Sequence, residues 1–142
     1  MVWRQRHLAV NLTSPSGGDK VKLSYKISTF LILALGIIHV SMTPVFFKRF
    51  APDAMWFASG GLMMILISFM NFVMLKDVSK ERVVRPLCHS TNIIGLIFAS
   101  TMFVLGWSRT TPPLQSFFVL FLFVFETVAA FVIGSRRSVR VA

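Results

Sequence analysis

PPLQSFFVLFLFVFETVAAFVIGS, residues 112–135, is the stretch whose reading decides the fold. Its 24 residues hold fourteen Leu, Ile, Val and Phe side chains and a single charged group, Glu126, before Arg136 closes the run. That length covers the roughly 20 apolar residues needed to cross about 30 Å of hydrocarbon as a helix. A charged side chain at a helix centre costs about 3 kcal/mol on the insertion scale, whereas each large apolar residue contributes roughly −0.5 kcal/mol. The segment therefore inserts and carries its carboxyl with it. Thr111 followed by Pro112 reads as a helix cap with proline at the first helical position.

Three further uncharged runs lie upstream. They are Ile27–Phe47 between Lys26 and Lys48, Ala54–Leu75 between Asp53 and Lys76, and Pro86–Ser108 between Arg85 and Arg109. Each spans a bilayer as a helix. All are continuously apolar rather than alternating, which argues against strands of a barrel. Asp53 is placed to cap the second helix. The expected fold class is all-α: a polytopic four-transmembrane-helix bundle over residues 27–135, with a flexible basic tail at 1–26 and a second basic tail at 136–142. The composition agrees, at 55% hydrophobic, 14% charged and a mean hydropathy of +0.73; soluble domains average about 25% charged residues.

The net charge of +10 comes from 15 Lys and Arg against 5 Asp and Glu. Five cations lie in residues 1–26, four in 76–85 and three in 136–142, against two in 48–53 and one in 109–111. Twelve against three sets both termini and the middle loop inside, and Trp56 and Trp107 then fall at the outer interface as an aromatic belt. Clusters at span ends meet lipid headgroups. They form no basic stripe interleaved with exposed aromatics, so nucleic acid is not an expected partner. The expected partners are the bilayer itself and a homo-oligomer or larger membrane complex, and the expected location is a bacterial inner or plasma membrane. Residues 1–26 lack the apolar core of a cleavable signal peptide. Residues 1–20 read as a tail outside the fold, with a later translational start as the alternative. Cys88 is the one cysteine, which excludes CxxC and CxxCH chemistry. A weak internal echo, Gly36–Ser41 against Gly95–Ser100, has duplication or chance as its readings.

Polar groups in hydrocarbon must find partners and so face the bundle interior. They fall on helical stripes: Thr29, Gly36, His39 and Thr43 in the first span; Gly60, Gly61, Met64, Ser68 and Asn71 in the second; Cys88, Asn92, Gly95, Ala99, Met102 and Gly106 in the third; Gln115, Leu122, Glu126, Ala129 and Ala130 in the fourth. Phe103 stands off the third stripe. Close packing through small residues is the plain reading of all four.

Glu126 and His39 exceed that reading, because intramembrane ionisable groups mark functional sites by default. Counted from the expected span ends, Glu126 lies about 14 Å deep and His39 about 18 Å deep. Matched depth makes His39 the expected partner of the carboxyl, either as an acid–base pair in a polar cavity or as a structural hydrogen bond. Pro44 removes the donor to the Val40 carbonyl, one turn beyond His39. Asn71 and Asn92, about 6 and 9 Å deep, suit an Asn–Asn or Asn–His89 hydrogen bond. Glu126, His39, Thr43, Asn92 and Asn71 are the candidate binding residues, and Glu126 and His39 the candidate catalytic ones.

His39 and His89 differ by about 13 Å in depth, which argues against a bis-histidine haem, and the Glu-x-x-His pairs of a di-iron bundle are missing. No metal site and no particular cofactor is implied. No P-loop, GxSxG or HExxH pattern occurs. Three function classes follow. In order, they are a non-enzymatic accessory or hydrophobic-ligand-binding protein, a small enzyme on a lipid-soluble substrate with Glu126 and His39 as acid and base, and an oligomeric proton-coupled transporter with Glu126 as carrier.

Overall fold

The computed structural model describes residues 17–49, 51–76, 83–107 and 114–138, with the side chains of 106, 107 and 136–138 excepted. These residues form four helices: α1 Gly17–Phe46, α2 Pro52–Leu75, α3 Val84–Trp107 and α4 Leu114–Ser138. All four are long and apolar enough to cross a membrane. The chain is a multi-pass membrane protein built as a four-helix bundle. Each helix packs on its sequence neighbours, and α4 closes the ring on α1. Large apolar side chains such as Phe30, Ile37, Leu66, Ile94 and Phe121 stand exposed around the outside, where lipid is their solvent.

The helix starts depart from expectation in instructive ways. α1 begins at Gly17, ten residues before Ile27, so Lys20, Lys22 and Lys26 ride on an ordered helix instead of a flexible tail. Lysine stems lie along apolar surface while their ammonium groups reach water, so these cations do not end the helix. The 30 residues of α1 make about 45 Å, more than the hydrocarbon requires. Residues 1–16 lie outside the described residues. In α2 the cap is Ala51, without a side-chain hydrogen bond; Pro52 follows at the start of the helix and Asp53 falls in the first turn. Thr111 and Pro112 lie outside the described residues.

Apolar burial drives helices together weakly in lipid, so close backbone contact and hydrogen bonds carry the packing. α1 and α2 meet at Gly36 and Gly61. A Cβ on Gly36 would lie 2.8 Å from the Gly61 carbonyl oxygen, and one on Gly61 would lie 2.9 Å from the Gly36 carbonyl oxygen. Only glycine permits that approach. A core of Ile32, Met64, Ile67, Ala99, Leu122 and Phe123 fills the middle of the bundle. A second cluster, Tyr25, Ala129, Ala130 and Ile133, fills the end that carries both termini. The expected stripe on α2 is buried throughout, and so are Cys88, Asn92, Gly95 and Ala99 on α3. Met102 departs from its stripe and is exposed, as is Gln115 on α4.

Candidate functional site

The Glu126 side chain is completely buried, and its hydrogen bonds tie it to two other helices. Ser28 and Thr29 of α1 donate to its two carboxyl oxygens, and Asn71 Nδ2 of α2 donates to Oε1 at 2.7 Å. Asn92 Nδ2 of α3 donates to Asn71 Oδ1 at 2.9 Å, so all four helices join one network. Thr127, next to Glu126, donates to its own helix at Phe123 O (2.8 Å) and reaches Asn92 O at 3.4 Å. Among the described residues the direct donors to Glu126 are all neutral, and they give the carboxyl its partners without a counter-cation.

Positions 25, 28, 29, 32 and 36 recur at helical spacing, which puts Tyr25, Ser28, Thr29, Ile32 and Gly36 on one face; all five are buried. The Ser28 and Thr29 hydroxyls also lie 3.0 and 2.8 Å from the Tyr25 carbonyl. Each hydroxyl has one proton and two acceptors in reach, so each shares itself between its own helix and α4. The Tyr25 hydroxyl and Asn92 Oδ1 are buried without a partner. The hydroxyl can donate and the amide oxygen can accept, and the two side chains are neighbours. Cys88 Sγ donates to Met70 O at 3.3 Å.

His39 is not among the partners of Glu126. Its ring stacks on Phe57, with centroids 3.6 Å apart and planes at 17°. Thr29, which does hold the carboxyl, precedes His39 by ten residues, about 15 Å along α1. Because α1 starts at Gly17 and not at Ile27, Thr29 and not His39 lies level with the carboxyl. Thr43 spends its hydroxyl on the His39 carbonyl at 3.2 Å. Of the candidate binding residues, Glu126, Asn71 and Asn92 come together; His39 and Thr43 lie elsewhere. Of the two expected hydrogen bonds, Asn–Asn and Asn–His89, the first is formed, by Asn92 and Asn71. His89 stacks on Phe131 at 4.4 Å, with its Nδ1 unpartnered.

His39 instead lines a cavity of about 370 Å³ at the end of the bundle remote from the termini. The walls are Trp56, Phe57, Met63, Phe98, Met102 and Phe103, and Met64, Ala99 and Phe123 of the central core form the floor. His39, Asp53, Gln115 and Ser116 supply the few polar groups. Phe103, expected off the buried face, meets Phe117 edge-on at 4.7 Å and lines this cavity. Phe123 stands one turn before Glu126 on α4, so the core separates the cavity from the carboxyl network. Among the described residues no group of three or more His, Cys, Asp or Glu could hold a metal ion.

Comparison with protein-family models, with curated proteins and with solved structures finds no match.

Proposed function

We propose that this chain is a non-catalytic membrane protein that binds a small lipid-soluble molecule in the cavity around His39. In this reading it sits in a bacterial inner or plasma membrane with both termini cytoplasmic, and the cavity opens toward the outer leaflet. One observation carries the proposal: a volume of about 370 Å³ lined by aromatic and methionine side chains with a handful of polar groups. Small-molecule sites have this character, mostly apolar with a few placed polar groups and some 300–1,000 Å³ in size. Methionine adapts its shape to irregular ligands, and a histidine fixed by ring stacking offers a hydrogen bond to a carbonyl or hydroxyl. The enzyme reading needs Glu126 and His39 acting together, and Glu126 is hydrogen-bonded to Ser28, Thr29 and Asn71 instead. The transporter reading needs only the Glu126 carboxyl, and no specific observation favours it over the cavity.

Gly60 supplies the test. It lines the cavity, and a Cβ there meets nothing closer than 3.8 Å. A Cβ therefore fits without forcing the backbone, and the rest of the side chain in Gly60→Leu should crowd the cavity beside Phe98 and His39. The wild-type protein purified in mild detergent should release a bound hydrophobic molecule into organic solvent, identifiable by mass spectrometry. Gly60→Leu should lose that molecule at least tenfold while melting cooperatively. If wild type and variant carry the same molecules in equal amount, the cavity is not a binding site.

A further inference from the structure

A second feature, at the opposite end of the bundle, stands independently of the cavity. Lys22 and Lys26 of α1 and Lys76 at the end of α2 surround a groove floored by Phe30, Phe72 and Leu75. Among the described residues the lining includes three lysines and no acid, and all three lysines are exposed. Phe30 and Phe72 meet edge-on at 4.8 Å across the α1–α2 seam, below the cations in the direction of the bundle centre. Lys76 takes the C-cap position of α2, with its backbone N–H bonded to Val73 O at 3.1 Å. A helix C-terminus favours a cation there.

We infer that this groove is a specific site for an anionic phospholipid, with the phosphate among Lys22, Lys26 and Lys76 and an acyl chain along Phe30 and Phe72. Charge complementarity and depth order point to this ligand: cations outermost, aromatic rings next, lipid-facing apolar surface beyond. A zwitterionic lipid fits the apolar floor equally well but gains little from three ammonium groups. A soluble anion gains the charge but not the floor. Basic pockets between transmembrane helices bind acidic headgroups in this way. Each lysine near an anionic surface is worth about a fivefold preference.

The experiment is native mass spectrometry of the full chain in a mild nonionic detergent, titrated with equimolar phosphatidylglycerol and phosphatidylcholine. Phosphatidylglycerol should bind in preference, and the triple variant Lys22→Gln, Lys26→Gln, Lys76→Gln should lose that preference by about a hundredfold, three fivefold steps. Lys48→Gln with Arg49→Gln, at the other end of the bundle, should leave it unchanged. Phe30→Ala with Phe72→Ala should weaken both lipids alike. Because the three lysines are exposed, the triple variant should melt as the wild type does. Equal binding of the two lipids by the wild type overturns the inference, and so does a phosphatidylglycerol preference that survives in the triple variant. Displacement of the lipid by millimolar inorganic phosphate alone overturns the acyl-chain half of it.

Discussion

Glu126 accepts from three side chains that do not depend on it equally. Without the carboxyl, the Ser28 and Thr29 hydroxyls still have the Tyr25 carbonyl within 3.0 Å. Asn71 Nδ2 has no such alternative, since its hydrogen bond goes to Glu126. Glu126→Leu should therefore strand one buried amide, at a cost of about 1–3 kcal/mol, read as a lower melting temperature in detergent. Glu126→Gln keeps the size and one acceptor, and the hydroxyls can turn to accept its amide, so it should lose less than about 1 kcal/mol. Adding Asn71→Leu to Glu126→Leu should recover part of the loss, as when both members of a buried polar pair are replaced. If Gln proves as damaging as Leu, the role of this side chain is its charge and not its hydrogen bonds. Glu126 was legible in the sequence because it is the one acid inside a span. Thr29 and Asn71 were legible too, as interior polar positions, but not their pairing with the carboxyl, nor Ser28, because charged residues do not mark the ends of α1. Lys26 does not end α1, and the hydroxyls two and three residues beyond it lie in the core. The periodic run Tyr25, Ser28, Thr29, Ile32, Gly36 was the signal that would have found them.

At the scale of the helix, α2 and α3 were more readable than α1, because small residues at helical spacing report close packing wherever the ends are drawn. Gly95 is the sharpest case. A Cβ there would lie 2.6 Å from both Ile67 Cδ1 and Phe123 Cε1, so α3 presses on the central core at a point with no room to spare. Gly95→Leu should cost about 1–3 kcal/mol or more through overpacking. The neighbouring Ile94→Leu, on an exposed, lipid-facing position, should be nearly neutral. The pair is to be compared by thermal melts in one detergent, and equal tolerance of both changes would mean that α3 is rotated from the orientation described. The same stripe reasoning failed at Met102, which borders the cavity instead of filling the core. Small and polar spacing marks where helices touch. It does not mark where they splay apart, and the aromatic lining of the cavity (Phe57, Phe98, Phe103) reads in sequence like any other lipid-facing run.

For the whole molecule, the direction in which the bundle faces decides which leaflet the proposed cavity and the proposed lipid groove each meet. The ordered start of α1 moves Lys20, Lys22 and Lys26 from a tail onto a helix but leaves them at the same end of the bundle. By sequence, twelve of the 15 cations belong to the segments that flank that end, and the positive-inside bias supports the proposal that this side is cytoplasmic. The lysine groove then faces the leaflet where anionic headgroups attract basic segments, and the cavity around His39 opens to the other. Reporter fusions after Phe50, Lys80, Thr110 and Ala142 should read outside, inside, outside, inside. An external signal at Lys80 or Ala142 would invert the molecule, turning the cavity to the cytoplasm and the lysines outward. The lipid titration in detergent would be unaffected by that inversion, so the groove and the orientation are tested separately. Moving charge tests the cause: with three cations against twelve, adding two lysines beside Lys48 and Arg49 should leave the orientation unchanged. Replacing the cations of 76–85 as well should begin to mix it, because short loops near span ends dominate the bias.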